Sequence, residues 1–217
     1  MKSLKEQTAA KIEQSRQANP AFMQGVEDIL TQERIFQQGG HAIAIGQVAP
    51  DFELPDPKGN LQLLSDLLVN GPVVVTFYRG SWCPYCNLQL RALQARLSEI
   101  HTLGAQLVAI SPQFPDGSMT KDDIADMDFT VLSDQDAKVA STYGVAWKVP
   151  EFLLKHMRED RKLDLEAINN GNGAVLPIPA TFVISRDGVV SWRYVDIDYR
   201  TRAEPEDIII ALQKLAK

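Results

Sequence analysis

Residues 73–86 read V-V-V-T-F-Y-R-G-S-W-C-P-Y-C. Val73 to Tyr78 is an almost unbroken apolar, β-branched and aromatic run, the pattern of a central strand buried on both faces. A short loop follows. Leu88, Leu90, Leu93, Leu97 and Ile100 then recur at helical spacing over residues 84–101. Residues 107–110, L-V-A-I, supply a second strand. Residues 73–111 are therefore a strand–helix–strand unit, and a right-handed crossover makes its two strands parallel.

This order gives the two cysteines chemical meaning. Cys83 falls at the N-cap of the helix, Pro84 in its first turn where a missing N–H costs nothing, and Cys86 at the third helical position. A thiolate on Cys83 can accept the unpaired N–H groups of that turn and sits at the positive end of the helix dipole. Such settings lower a thiol pKa below about 8.5. Residues three apart share a helix face, so Cys86 can reach Cys83 and close a disulfide. Three readings compete: two inert buried thiols, half of a zinc site, or a redox pair. Zinc needs two more ligands, and the chain offers only His41, His101 and His156 and no third cysteine. Placement directly after a strand favours redox catalysis over both alternatives.

The remainder of the 217 residues is consistent with a globular enzyme. Hydrophobic content is 45% and charged content 23%, and a chain of this length buries a core without disulfide staples. A net charge of −6 argues against nucleic-acid or anionic-membrane partners. No signal-peptide pattern and no apolar spanning segment is evident, so a cytoplasmic location is expected, where a C-x-x-C pair is catalytic or metal-binding rather than a structural staple.

Residues 1–45 are expected to form a helical extension and residues 46–217 the main domain. Ile12, Phe22, Val26, Ile29, Leu30 and Phe36 make a broken apolar stripe, Asn19-Pro20 separates two helices, and Gly39-Gly40 ends the second. The extension is either a helix pair packed on the main domain or the arm of a homodimer. Beyond the central unit, helices are expected at 121–127, 136–143, 150–168 and 206–216, and a strand at 129–132. A loop is expected at 169–173, with a hairpin of 181–184 and 189–195 across Arg186-Asp187-Gly188. There is no internal repeat.

Three motifs together carry a family resemblance: G-Q-V-A-P-D-F-E-L-P-D-P-K-G-N at 46–60, F-Y-R-G-S-W-C-P-Y-C at 77–86 and P-A-T-F-V-I-S-R-D-G-V-V at 179–190. Over about residues 46–215 the chain resembles the alkyl hydroperoxide reductase/thiol-specific antioxidant (AhpC/TSA) superfamily, the peroxiredoxin-like branch of the thioredoxin fold. The resemblance implies an α/β thioredoxin-like fold, a central mixed sheet flanked by helices, with the N-terminal helical segment added. Two departures stand out. The peroxiredoxin pattern Pro-x-x-x-Thr-x-x-Cys is absent, since Thr76 and Gly80 stand seven and three residues before Cys83. Pro179 stands where peroxiredoxins usually carry an Arg, two residues before the Thr of T-F-V-I. It matches instead the cis-proline facing the Cys pair of thioredoxin-like proteins, so that catalytic Arg does not carry over.

Arg79, four residues before Cys83, is the candidate to stabilise the thiolate and polarise a peroxide, against a solvated Arg with a surface carboxylate. Trp82 resembles the lid of thioredoxin-like motifs, Tyr85 is read as partner-contact surface, and Arg193 as a strand-face charge. The resemblance favours a thiol peroxidase: Cys83 becomes a sulfenic acid, Cys86 condenses with it, and a thioredoxin-type or small-thiol donor reduces the pair. The alternatives are a thiol–disulfide oxidoreductase using the same C-P-Y-C pair, and a non-catalytic interaction module. No cofactor is implied, because the sulfurs carry the electrons.

Overall fold

The computed structural model describes residues 2–114 and 127–216. Ser3 caps helix α1 (Leu4–Ala18) through a reciprocal capping box with Glu6. Asn19 caps α2 (Pro20–Ile35), with Pro20 at its first position. Helix α2 stops at Ile35, ahead of a turn in which Gln37 and Gly39 take positive φ. Leu4 and Thr8 of α1 and Met23, Val26 and Leu30 of α2 are buried, and Val26 and Leu30 belong to the main core. The two helices therefore pack on the main domain of their own chain, although Phe36 at the end of the stripe is 72% exposed.

Strands β1 (Glu53–Pro55) and β2 (Leu61–Leu63) form a small hairpin, followed by α3 (Leu64–Val69). The central unit comes next: β3 (Val73–Phe77), α4 (Pro84–Ala95), α5 (Leu97–Thr102) and β4 (Gln106–Ser111). The helix expected over 84–101 is thus two, broken at Arg96, whose backbone leaves helical geometry. Then follow β5 (Thr130–Ser133), α6 (Lys138–Thr142), β6 (Ala146–Lys148), α7 (Glu151–Lys155), α8 (Leu165–Asn169), β7 (Val175–Pro177), β8 (Ala180–Ile184), β9 (Val190–Val195) and α9 (Pro205–Leu215). The main sheet has the order β5-β4-β3-β8-β9. β3 is parallel to β4 and antiparallel to β8, and β8 and β9 form the expected hairpin. This is a mixed sheet flanked by helices, a thioredoxin-like fold with an N-terminal helical segment.

Every residue of β3 is buried. Its one polar side chain, Thr76, is satisfied where three elements meet: its hydroxyl lies 3.0 Å from that of Thr181 on β8 and accepts from Gln89 Nε2 on α4 at 2.9 Å. Gln89 Oε1 has no partner among the described residues, but the bonds that Thr76 makes to Thr181 and Gln89 tie the helix that begins at the cysteines to the sheet.

Several expectations are corrected. The helix expected over 136–143 begins only at Lys138, because Asp136 and Ala137 take positive φ. The amphipathic segment 150–168 is not one helix. After α7 it widens into a π turn, His156–Asp160, Lys162 takes positive φ, and Asp164 accepts the Ala167 N–H at 3.0 Å to start α8 afresh. The Ile178–Pro179 bond is trans, not cis. Ile178 N–H donates to Val145 O at 2.7 Å where β7 leads into β8. The helix expected at 121–127 lies, apart from Met127, outside the described residues.

Candidate active site

The site sits where β3 ends and α4 begins. Gly80 takes φ +139°, and a Cβ there would collide with Trp82 Nε1, so only glycine lets the indole fold back over the loop. Gln113 Oε1 accepts from both the N–H and the hydroxyl of Ser81 at 2.8 and 3.0 Å, and Asn87 Nδ2 donates to Ser81 O at 2.8 Å. The loop is thus clamped from β4's side and from α4. Cys83 is the N-cap of α4 with Pro84 next, as its position indicates, and its carbonyl accepts the N–H groups of Cys86 and Asn87. No side-chain hydrogen bond completes the cap, so the helix end is not what chiefly stabilises the sulfur.

The neighbouring thiol and two arginines supply what the cap does not. Burial alone would push the Cys83 thiol up, but the Cys86 hydrogen bond and the charges of Arg79 and Arg202 outweigh it and hold Cys83 well below the usual thiol range. Cys86 is driven the other way: burial, its hydrogen bond to Cys83 and the Cys83 charge keep it protonated. Both thiols are free, and Cys83 is only 1% exposed. Cys83 is thus closed off from bulk solvent, and it lines a cavity of about 380 Å³ that Trp82 also lines.

Arg79 is 2% exposed, which overturns the reading of a solvated arginine with a surface carboxylate. Its guanidinium carbon lies 5.0 Å from the Trp82 ring centre and 4.4 Å from that of Tyr199, and Nη2 is 3.8 Å from Met157 Sδ. Aromatic faces stabilise such a cation, yet no carboxylate pairs with it among the described residues. The nearby anion available to it is the Cys83 thiolate. Tyr85, expected at the surface, is buried, with its ring edge-on to Tyr199 at 6.2 Å. Pro179 is buried at the sheet end where the β3–β8 register closes at Phe77↔Ala180, and it does not line the cavity. Arg193 holds the carbonyls of Ala42 and Ile43, a structural tie.

The segment D-I-D-Y-R-T-R, residues 196–202, is the part of the site that the sequence reading passed over. Tyr199 stacks on Arg79, while Arg202 Nη2 donates to Cys86 Sγ at 2.9 Å and Arg202 Nη1 donates to the carbonyls of Tyr199 and Thr201. Arg200 is held by Asp198 at 2.8 Å and by Glu27 of α2 at 2.6 Å, tying the N-terminal helices to the same segment. The available signal was a dense alternation of charge directly after the half-buried strand β9. Among the described residues no cluster of His, Cys, Asp and Glu is arranged to hold a metal, and no helix is long and apolar enough to cross a membrane.

The site is a dithiol at the start of a helix, on a thioredoxin-like sheet and flanked by buried arginines. Residues 45–193 match the model of the AhpC/TSA family. The chain belongs to the AhpC/TSA family. It is 32% identical to peroxiredoxin Bcp of Escherichia coli over 110 residues, 51% of this chain and 69% of that protein. Among solved structures, peroxidoxin BcpB of Mycobacterium tuberculosis superposes with a TM-score of 0.61 at 24% identity, covering 80% of this chain and 98% of that one. A Chlorobium tepidum protein assigned as the thiol:disulfide interchange protein DsbE gives 0.56 at 22%, covering 81% and 100%. These structural likenesses share a fold across two chemistries, so the reaction has to be read from the site.

Proposed function

We propose that the chain is a thiol peroxidase that reduces hydroperoxides through Cys83 and Cys86. The observation that carries the reading is the buried, carboxylate-free Arg79 beside a Cys83 held as thiolate. The thiolate attacks the terminal oxygen of R–O–O–H, the O–O bond breaks, the sulfur is oxidised to S–OH, and the alkoxide leaves and takes up a proton as R–OH. Arg79 is the group that would oppose the charge developing on the peroxide oxygens. The Cys86 thiol then attacks the sulfenic sulfur, forming the disulfide and releasing water. A dithiol donor of the thioredoxin type, or a small thiol, returns the pair to its reduced state.

The peroxiredoxin relative supports the peroxidase, and so does access: Cys83 is almost fully buried and lines a cavity of about 380 Å³, which suits a small molecule better than a protein disulfide. The second reading, a thiol–disulfide oxidoreductase, is favoured by the C-P-Y-C spacing and by the Cys83–Cys86 hydrogen bond. Peroxide consumption by the pure protein, with thioredoxin, glutathione or dithiothreitol as donor, separates them. Consumption lost in Cys83→Ser supports the peroxidase. If Cys83 reacts with peroxide no faster than free cysteine while reducing disulfides well, the second reading replaces it.

A further inference from the structure

Two arginines follow β9 two positions apart, and their partners differ in kind. Arg200 is buried and paired with the carboxylates of Asp198 and Glu27. Arg202 is also buried, yet among the described residues no carboxylate meets it. Its Nη1 donates to the carbonyls of Tyr199 and Thr201 at 2.7 and 2.6 Å, its Nη2 donates to Cys86 Sγ at 2.9 Å, and its Nε is buried without a described partner. Burying a cation without a counter-ion is costly. A tie to two carbonyls needs only neutral donors, so it does not account for the charge.

The sulfur of Cys86 does. The groups that face it are Arg202, Cys83, the Tyr78 phenol and the backbone N–H of Arg79 at 3.5 Å. Burial keeps Tyr78 neutral. Burial of Cys86 and the Cys83 thiolate hold the Cys86 proton on, while Arg202 and the Arg79 N–H favour its loss. One of these opposing influences is removed by the reaction itself. When Cys83 is oxidised its negative charge disappears, and the guanidinium of Arg202 remains in contact with Cys86.

We propose that Arg202 is a catalytic residue of the second step, bringing Cys86 to the thiolate once Cys83 has been oxidised, so that the disulfide closes only after the oxidant has reacted. The Cys86 S–H bond breaks and its sulfur attacks the sulfenic sulfur of Cys83. The S–S bond forms, the S–O bond breaks, and the departing hydroxide takes up the proton that Cys86 released, leaving as water. The Cys86 sulfur is oxidised and the sulfenic sulfur reduced, with no further reactant. The sulfenic acid in this step rests on the peroxidase reading; the contact between Arg202 and Cys86 does not.

The test begins with Cys83→Ser, which puts a neutral side chain where the thiolate stood and leaves Cys86 as the only cysteine. Ionisation of Cys86 is followed by the Cβ carbon shift of labelled cysteine across pH. Adding Arg202→Gln, which keeps donors for the carbonyls but not the charge, should raise the midpoint by about 1–3 units. Adding Arg202→Lys, which keeps the charge, should leave it near that of Cys83→Ser. Equal midpoints with Arg202 and with glutamine, or a lysine midpoint equal to that of glutamine, overturn the proposal. Should the glutamine variant not fold, Cys83→Ser decides alone: Cys86 should titrate at or below about 8.5 despite its burial, and a higher midpoint overturns the proposal. Quenched-flow mass spectrometry then follows the two steps in the protein with both cysteines. A rise of about two units lowers the thiolate about a hundredfold and raises its nucleophilicity about tenfold, so Arg202→Gln should lengthen the life of the Cys83 sulfenic acid about tenfold. The first attack on peroxide should slow by less, because Arg79 remains beside Cys83; an equal loss in both steps would overturn the assignment to Cys86. If Cys83 reacts with peroxide no faster than free cysteine while the Cys86 midpoint moves as stated, the peroxidase reading falls and the role of Arg202 toward Cys86 stands.

Discussion

Replacing Arg79 by methionine should make the Cys83–Cys86 disulfide harder to reduce. Arg79 is almost fully buried, its guanidinium lies between two aromatic rings, and no described carboxylate neutralises it. In the reduced protein the Cys83 thiolate is its counter-charge; in the disulfide that charge is gone and the guanidinium stands alone. The rings act on it in both states and cancel. An opposite charge near enough to move a neighbour's ionisation, roughly 4–6 Å away, is worth about 3–4 kcal/mol at an effective dielectric of about 20. Relaxation around the oxidised site, and Arg202 sharing the same thiolate, reduce the difference to about 1.5–2 kcal/mol. For a two-electron couple this corresponds to about 30–40 mV. The wild type should therefore have the higher reduction potential, and Arg79→Met should lie about 30–40 mV below it. Methionine keeps much of the apolar volume, and the short cross-link itself is common to both proteins and drops out. The assay is equilibration with glutathione buffers, trapping by alkylation and mass analysis of the oxidised fraction. An Arg79→Met potential equal to or above that of the wild type would refute the pairing of this guanidinium with the thiolate.

Cys86→Ser should reduce one equivalent of peroxide and then accumulate sulfenic and sulfinic acid on Cys83, read by mass spectrometry; stable mixed disulfides without fast peroxide reaction would instead mark the oxidoreductase. Because the folded Cys83 pKa is depressed, the reduced protein gains stability as pH rises from that value to about 8.5, the unfolded thiol pKa, and loses it as pH falls back through the window, where Cys86 stays protonated. Chemical denaturation of reduced wild type and Cys83→Ser across that range should show the pH-dependent difference, and parallel curves would exclude a depressed thiol. Gly80→Ala combines positive φ with a clash at Trp82 and should cost about 1–3 kcal/mol and slow peroxide turnover, measured by thermal melts and steady-state rates. Leu30→Ala, which empties a fully buried position of the core, should cost about 2–5 kcal/mol in denaturant titration; an unchanged midpoint would mean that α2 is not part of the cooperative unit.

Short-range chemistry was legible in the chain itself. A strand buried on both faces, a helix started by Cys83 and Pro84, and a hairpin turned by Asp187-Gly188 follow from hydrophobic period and from local backbone rules acting within a few residues. The closeness of the two cysteines followed too, because a spacing of three at the start of one helix fixes their neighbourhood. The charges around them were decided only by the tertiary structure. Whether Arg79 faces water or a thiolate depends on Trp82 and Tyr199 closing on it, and Tyr199 is more than a hundred residues away in sequence. Arg202 reaches Cys86 only because β9 returns beside β8 and delivers residues 196–202 to the start of α4. The break of 150–168 into α7, a π turn and α8 escaped for a related reason: its apolar pattern is continuous, but the Asp164 cap and the packing of His156 on Phe22 outweigh that pattern once the N-terminal helices are in place. Periodicity reports which face of an element is buried; it carries no information about which distant charge that face will meet, and at this site the distant charges set the chemistry.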